Sequence, residues 1–132
     1  MATNSTWTVI FEDKKVIKHT GVESGTEYII DDNTFWSQSK YSNIWAIQYG
    51  TTPSSDEVEY RDTTPHSSFI DANLGNFQDF ITKWDSAHLA KLQADWDADV
   101  IITYNEDGSV NTTESEADQI TRKGARPTSY SS

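Results

Sequence analysis

Residues 44–50 read IWAIQYG, residues 57–62 read EVEYRD, and residues 77–84 read FQDFITKW. The first run is apolar on both faces apart from Gln48, which predicts a central strand. The second run alternates between apolar and charged residues, which predicts a strand with one buried face and one exposed face. In the third run the aromatic residues recur at helical spacing. Together the three runs predict two strands and a helix around an aromatic core.

Outward from this stretch, short β-branched and aromatic runs predict further strands at 7–11, 16–19, 27–30, 100–104 and 109–112. A long helix from about residue 76 to 97 carries one apolar stripe, formed by Phe77, Phe80, Ile81, Trp84, His88 and Leu92. A capping box at Thr113 to Glu116 predicts a short helix that ends at Lys123, with Gly124 behind it. We therefore predict an α+β fold, with an antiparallel sheet of about five strands, one long amphipathic helix packed on a face, and a polar C-terminal arm. The domain is placed at residues 1–112 and the arm at 113–132.

The composition argues against several kinds of partner. The 132 residues carry a formal net charge of −11, and they lack the excess of Lys and Arg that nucleic acid and anionic membrane surfaces require. No apolar run approaches the ~20 residues of a membrane-spanning helix. The chain has no cysteine, so it has no disulfide framework and no thiolate chemistry. We expect a protein made in a cytoplasm that binds neither nucleic acid nor membrane.

The sequence offers no catalytic or metal-binding pattern. Its three histidines are not at ligand spacing from one another, and we interpret His88 as a core residue and His66 as loop surface. The acidic run at 95–99 resembles the start of a calcium loop, but Val100 stands where that loop requires glycine. We therefore predict no metal, no cofactor and no enzymatic activity.

Aromatic residues in and just before the predicted strand at 44–50 are candidates for a sugar-stacking platform, because a flat ring can stack on a pyranose face. The candidates are Trp36, Tyr41, Trp45 and Tyr49. We expect Trp45 in the core, since it belongs to the strongest strand. Trp36 and Tyr41 lie in loop-like sequence and suit an exposed platform better. A competing interpretation places Trp36 with Phe35 in a short helical turn that plugs onto the sheet.

The arm has acidic residues followed by a basic group that contains Arg122, Lys123 and Arg126. Two interpretations stay open: a solvated, charge-balanced tail, or an arm whose cations lie with Tyr130 in an acidic groove of a neighbouring molecule. On the second interpretation the partner-binding residues of the chain are Trp36, Tyr41, Arg122, Lys123, Arg126 and Tyr130.

Four segments of the chain resemble small accessory proteins of tailed bacteriophages, particularly those of marine and cyanobacterial phages. The resemblance rests on Phe35 and Trp36, the Trp-Ala-Ile-Gln-Tyr strand at 45–49, the Glu-Val-Glu-Tyr strand at 57–60, and the aromatic helix that follows. It covers roughly residues 28–100. It implies a virion-associated or assembly protein, and it carries over no catalytic residues.

From this resemblance we expect a non-enzymatic structural accessory protein of the virion, made in the host cytoplasm. It would dock in multiple copies on capsid or tail through a sheet edge, exposed aromatics and the C-terminal arm. Its partners would be other virion proteins of the capsid, tail or fibre. Two alternatives remain: an assembly chaperone for phage fibres that is absent from the finished particle, and a glycan-binding module that uses exposed aromatics.

Overall fold

The computed structural model describes residues 5–20, 24–50 and 56–132. These residues belong to two compact units, Met1–Trp84 and Asp85–Ser132. A compact unit need not be a segment that folds alone, so the predicted boundary between residues 112 and 113 stays a prediction.

The first unit is built on a five-stranded antiparallel sheet. Its strands are β1 (Ser5–Ile10), β2 (Lys15–Lys18), β3 (Glu27–Ile29), β4 (Ile44–Gly50) and β5 (Glu57–Tyr60). Their order across the sheet is β3-β2-β1-β4-β5, and every pairing is antiparallel. Together with the helices described below, this sheet confirms the predicted α+β class.

One row of branched side chains crosses four strands of the sheet. Val16 pairs with Val9, Val9 pairs with Ile47, and Ile47 pairs with Val58. All four are fully buried. Successive strand residues point to opposite faces, so this row fixes which face of every strand is inward. A slip of one residue in any strand would turn its apolar set toward water.

Aromatic rings fill the space between the inner face of the sheet and the first turns of helix α2 (Gln78–Ala98). Phe80 of the helix lies 5.9 Å from Phe11, and Trp84 lies 5.6 Å from Trp7, both in edge-to-face geometry. Tyr49 stacks on Phe77 at 3.9 Å. Such pairs add roughly 0.5–1.5 kcal/mol each beyond the area they bury. The aromatic core expected from residues 44–84 is therefore present.

A short helix, α1 (Asn33–Trp36), and a 3-10 turn (Ser39–Tyr41) close one side of this core. The carboxylate of Asp32 caps α1 by accepting from the N–H of Phe35 at 3.1 Å. The indole N–H of Trp36 donates to the carbonyl of Ile30 at 2.8 Å. The interpretation of residues 35 and 36 as a plug on the sheet is confirmed by their burial.

Trp45 is not in the core, and its predicted burial is wrong. It is 43% exposed, and the guanidinium of Arg61 lies 5.8 Å from its ring centroid. The pairing of β4 with β5 shifts register between Ile44 and Ala46. The irregularity leaves Trp45 without a partner on β5, and its ring points out while Ile44 and Ile47 stay buried.

The second unit contains the later turns of α2, a two-stranded antiparallel sheet and a short helix. The strands are β6 (Ile102–Tyr104) and β7 (Val110–Thr113), and the helix is α3 (Glu116–Lys123). Ser115, not Thr113, caps α3, because its hydroxyl accepts from the N–H of Asp118 at 3.2 Å. Gly124 ends the helix at φ +83°, as predicted. Within the described residues, none of the helices has the length and apolar character that a bilayer span needs.

Candidate functional site

The second unit presents an apolar surface on its two-stranded sheet, which we call the apolar hairpin (residues 101–113). Ile102, Tyr104 and Val110 are 40%, 62% and 57% exposed. Tyr104 pairs with Val110, and Ile102 stands two residues before Tyr104 on the same strand, so all three lie on one face. Every residue from 101 to 113 is exposed. Large apolar side chains gathered on one exposed face are typical of an interaction site.

The turn at the tip holds the hairpin strands in register. The N–H of Asn105 donates to the carbonyl of Ser109 at 2.8 Å, and the N–H of Gly108 donates to the carbonyl of Asn105 at 3.0 Å. Gly108 adopts φ +89°, a left-handed conformation that favours glycine. The carboxylate of Asp107 accepts from the N–H of Ser109 at 2.9 Å. A two-stranded hairpin is marginally stable by itself, so these bonds help to keep the apolar face in one shape.

The base of the hairpin is tied by a charged cluster. Arg122 of α3 donates to both carboxylate oxygens of Glu114, at 2.8 and 2.7 Å, and to a carboxylate oxygen of Asp99 at 3.1 Å. Glu114 accepts in turn from the N–H of Ile101 at 3.2 Å. The hydrogen bonds that Arg122 donates lower the pKa of Glu114 to about 2, and the same bonds raise the pKa of Arg122. Fork-to-fork pairing of this kind fixes orientation as well as charge.

The basic residues of the C-terminal arm contact the end of α2. Lys123 donates to the carbonyls of Trp96 and Asp99, and its ammonium lies 3.7 Å from the centroid of the Trp96 ring. Arg126 makes two bonds of 2.9 Å to the carboxylate of Asp97. Cations at a helix C-terminus stabilise both its unpaired carbonyls and its dipole. The acidic run that resembles a calcium loop is therefore paired with cations of its own unit.

The last residues of the arm lie along the same helix. The ring of Tyr130 meets the ring of His88 edge to face at 4.4 Å, and Ser132 donates to the carboxylate of Asp85 at 3.1 Å through its N–H and also through its hydroxyl. The burial predicted for His88 is confirmed, since it is 7% exposed. All four residues predicted to bind a partner from the arm have partners within their own unit. Whether they also contact another protein stays a prediction.

Trp36 and Tyr41, which were expected to be exposed, lie in the core of the first unit. They are 8% and 3% exposed, and their centroids lie 5.3 and 5.1 Å from Phe11. Burial raises the pKa of Tyr41 to about 12, and its hydroxyl has no hydrogen-bond partner among the described residues. The expectation that these rings form an exposed platform is wrong, because loop-like composition did not reveal that α1 and the 3-10 turn close the core.

One group of potential metal ligands lies on the first unit, where the sequence predicted none. Glu57, Glu59 and His66 each offer a ligand atom, and these atoms all lie within 4.8 Å of one another. The imidazole Nδ1 of His66 is 2.7 Å from a carboxylate oxygen of Glu57, and this bond lowers the pKa of Glu57. The Glu-x-Glu spacing on one strand face was visible in the sequence. The return of residue 66 to that face was not.

Comparisons with known proteins identify no relative of the chain, because no family model, curated protein or solved structure matches it. The resemblance to phage accessory proteins therefore stays a prediction.

Proposed function

We propose that this protein is a non-enzymatic accessory component of a tailed phage particle, and that it docks on other virion proteins through the apolar hairpin. The observation that carries the proposal is the exposed face formed by Ile102, Tyr104 and Val110. The hairpin lends itself to docking in a second way. Both of its strands are exposed, so a partner strand can extend the sheet while its side chains cover the apolar face.

The size of this face suits docking in many copies. Ile102, Tyr104 and Val110 are between 40% and 62% exposed. Full burial of one such side chain is worth about 1.5–3 kcal/mol, so covering the remaining exposed parts contributes on the order of 2–5 kcal/mol. Association costs about 4–15 kcal/mol in lost freedom. A single hairpin therefore binds weakly, and copies arranged by the symmetry of a particle supply avidity.

Charge defines the partner further. The chain has a net charge of −11, and the hairpin tip carries Glu106 and Asp107. An apolar patch bordered by Lys or Arg complements this surface, since potentials of opposite sign favour encounter and correct register. In this proposal the arm chiefly stabilises the hairpin, because Arg122 and Lys123 bond to the residues at its base.

The alternatives differ in how well the described residues support them. A glycan platform on Trp36 and Tyr41 loses its support, because both rings are buried. A fibre assembly chaperone would need the same kind of apolar surface as a virion component. It differs only in being absent from the finished particle.

The test compares purified particles from cells that carry the wild-type gene or a variant. Ile102→Ser combined with Tyr104→Ser removes the apolar face, and Ile70→Ser is the matched control because Ile70 is 77% exposed outside the hairpin. We expect mass spectrometry to find the wild type and Ile70→Ser in particles at equal levels, with the double variant reduced at least tenfold.

Far-UV circular dichroism establishes that each variant is folded before particles are analysed. Full incorporation of the folded double variant would overturn the hairpin as the docking surface. Wild-type protein that is present in infected cells and absent from particles would overturn the virion role and leave the chaperone.

A further inference from the structure

We propose that Glu57, Glu59 and His66 form a binding site for a divalent transition-metal ion, with Zn²⁺ as the best fit. Their ligand atoms lie within 4.8 Å of one another. Atoms that share one ion at zinc distances of about 2.0–2.2 Å stand about 3–3.5 Å apart. Small rotations of three side chains are enough to bring them to that spacing. The site lies in the first unit, whereas the apolar hairpin belongs to the second.

The strand and the loop bring these residues together by backbone pairing. The Val58 side chain is fully buried, so Glu57 and Glu59 on either side of it point to the outer face of β5. Val58 and Ser67 form an antiparallel bridge, with N–H···O distances of 2.7 and 3.2 Å in the two directions. In that register the residue across from Glu59 is His66, which therefore reaches the same face.

Further contacts hold the bridge in place. The hydroxyls of Tyr60 and Ser67 are 2.7 Å apart, which adds a side-chain bond beside the backbone pair. Glu57 itself pairs with Gln48 of the neighbouring strand β4. The ligand positions are thus set by a sheet and not by a flexible tail, and this preorganisation lowers the entropy lost on binding.

The donor set favours a cation of intermediate hardness. Two carboxylates alone suit calcium, magnesium or manganese, whereas an imidazole nitrogen selects zinc, copper, iron or nickel. Three protein ligands leave at least one position for water, as in an open zinc site. Access from solvent is available, because the His66 side chain is 51% exposed and that of Glu57 is 22% exposed.

Charge balance gives a reason for the ion to stay. Two carboxylates held this close repel each other, and the hydrogen bond from His66 satisfies one oxygen of Glu57. Among the residues that the structure describes, none forms a hydrogen bond or ion pair with the Glu59 carboxylate, although the Glu59 backbone pairs with Ala46 of β4. A bound divalent cation neutralises both carboxylates and takes the place of the hydrogen bond between Glu57 and His66. Because a metal ligand must be deprotonated, binding weakens at acid pH.

Isothermal titration of the full chain with ZnCl₂ tests the proposal, with a tenfold excess of Mg²⁺ present to occupy diffuse acidic surface. We expect saturable binding of one ion per chain for the wild type. His66→Ala and Glu59→Gln should each weaken that binding at least tenfold. His19→Ala is the matched control, because His19 is exposed and bonds to Thr8 outside the cluster, and it should bind as the wild type does.

Co²⁺ provides a second readout, since its visible absorption reports the ligands around it. The wild type should give a spectrum that His66→Ala loses and His19→Ala keeps. The proposal is overturned if no one-to-one binding is seen, or if the two site variants bind as tightly as the wild type. The latter result would assign zinc to the acidic surface in general.

Discussion

Trp36 and Trp45 provide the sharpest test of the fold. The sequence predicted burial for Trp45 and left Trp36 between an exposed platform and a plug on the sheet, whereas the structure buries Trp36 and exposes Trp45. Trp36 is 8% exposed and donates its indole N–H to Ile30 at 2.8 Å. Removing a buried Trp ring costs about 3–5 kcal/mol, and the carbonyl left without its donor adds about 1 kcal/mol. Trp45 is 43% exposed and has Arg61 near its ring, a contact worth about 0.5–1 kcal/mol at an exposed site.

We therefore expect Trp36→Ala to lower the free energy of unfolding by about 4–6 kcal/mol and Trp45→Ala by about 1 kcal/mol. With a urea m-value of about 1–1.5 kcal/mol per molar, the two midpoints should differ by roughly 2–5 M. Urea titration followed by far-UV circular dichroism measures this directly. Trp36→Phe is the graded control, since it keeps a ring in the core and loses the N–H bond.

Equal urea midpoints for the two alanine variants, or a lower midpoint for Trp45→Ala than for Trp36→Ala, would contradict the assigned burial of the two rings. Either result would mean that the tryptophan of β4, and not that of α1, closes the core. Sugar binding lost in a Trp36→Ala variant would carry no information unless the variant were shown to be folded.

Two further predictions concern single polar groups. Tyr41→Phe should raise the free energy of unfolding by about 1 kcal/mol, because it removes a buried hydroxyl without a partner among the described residues; a lower urea midpoint would contradict this. Glu114 has its pKa lowered from 4.5 to about 2 by Arg122, so its contribution is fully present above pH 4.5 and is lost as pH falls toward 2. Glu114→Gln should therefore flatten that part of the acid unfolding curve, whereas Glu116→Gln, an exposed control, should leave it unchanged; equal curves for all three proteins would refute the role of the pair.

Periodicity made the elements of the fold predictable. β5 alternates strictly, and its inward Val58 is fully buried as the pattern indicates. The aromatic spacing at Phe77, Phe80 and Trp84 likewise predicted a helix whose rings reach the sheet. These features follow from residues close together in the chain, where side-chain direction is set by strand or helix geometry.

The burial of individual aromatic rings could not be predicted from the sequence. The register irregularity at Ile44 and Ala46 turns Trp45 outward, and nothing in an apolar run announces such a shift. Trp36 is buried because its indole finds a carbonyl six residues away and because its neighbour Phe35 reaches Phe80, with ring centroids 5.4 Å apart. Local composition carries no information about space in the core that elements distant in sequence leave for a side chain to fill.

The partners of the arm residues within their own unit could not be predicted for a related reason. Its cations were visible in the sequence, but their partners depend on tertiary structure. Arg126 pairs with Asp97, 29 positions away, and Arg122 joins Asp99 to Glu114. A cation group followed by a tail is read equally well as an arm for a neighbour or as a clamp on its own unit.

The charges of the second unit also narrow the kind of partner that fits the apolar hairpin. Every acidic residue of the run at 95–99 has a cation of its own unit beside it, so this unit has already used its basic residues internally. The hairpin tip, with Glu106 and Asp107, keeps its charge directed at solvent. Two copies meeting through their hairpins would add like charge to like charge on chains that each carry −11, which weakens self-association at physiological salt. Because this charge disfavours self-association, the apolar surface is suited to a different protein, one whose apolar patch is bordered by Lys or Arg.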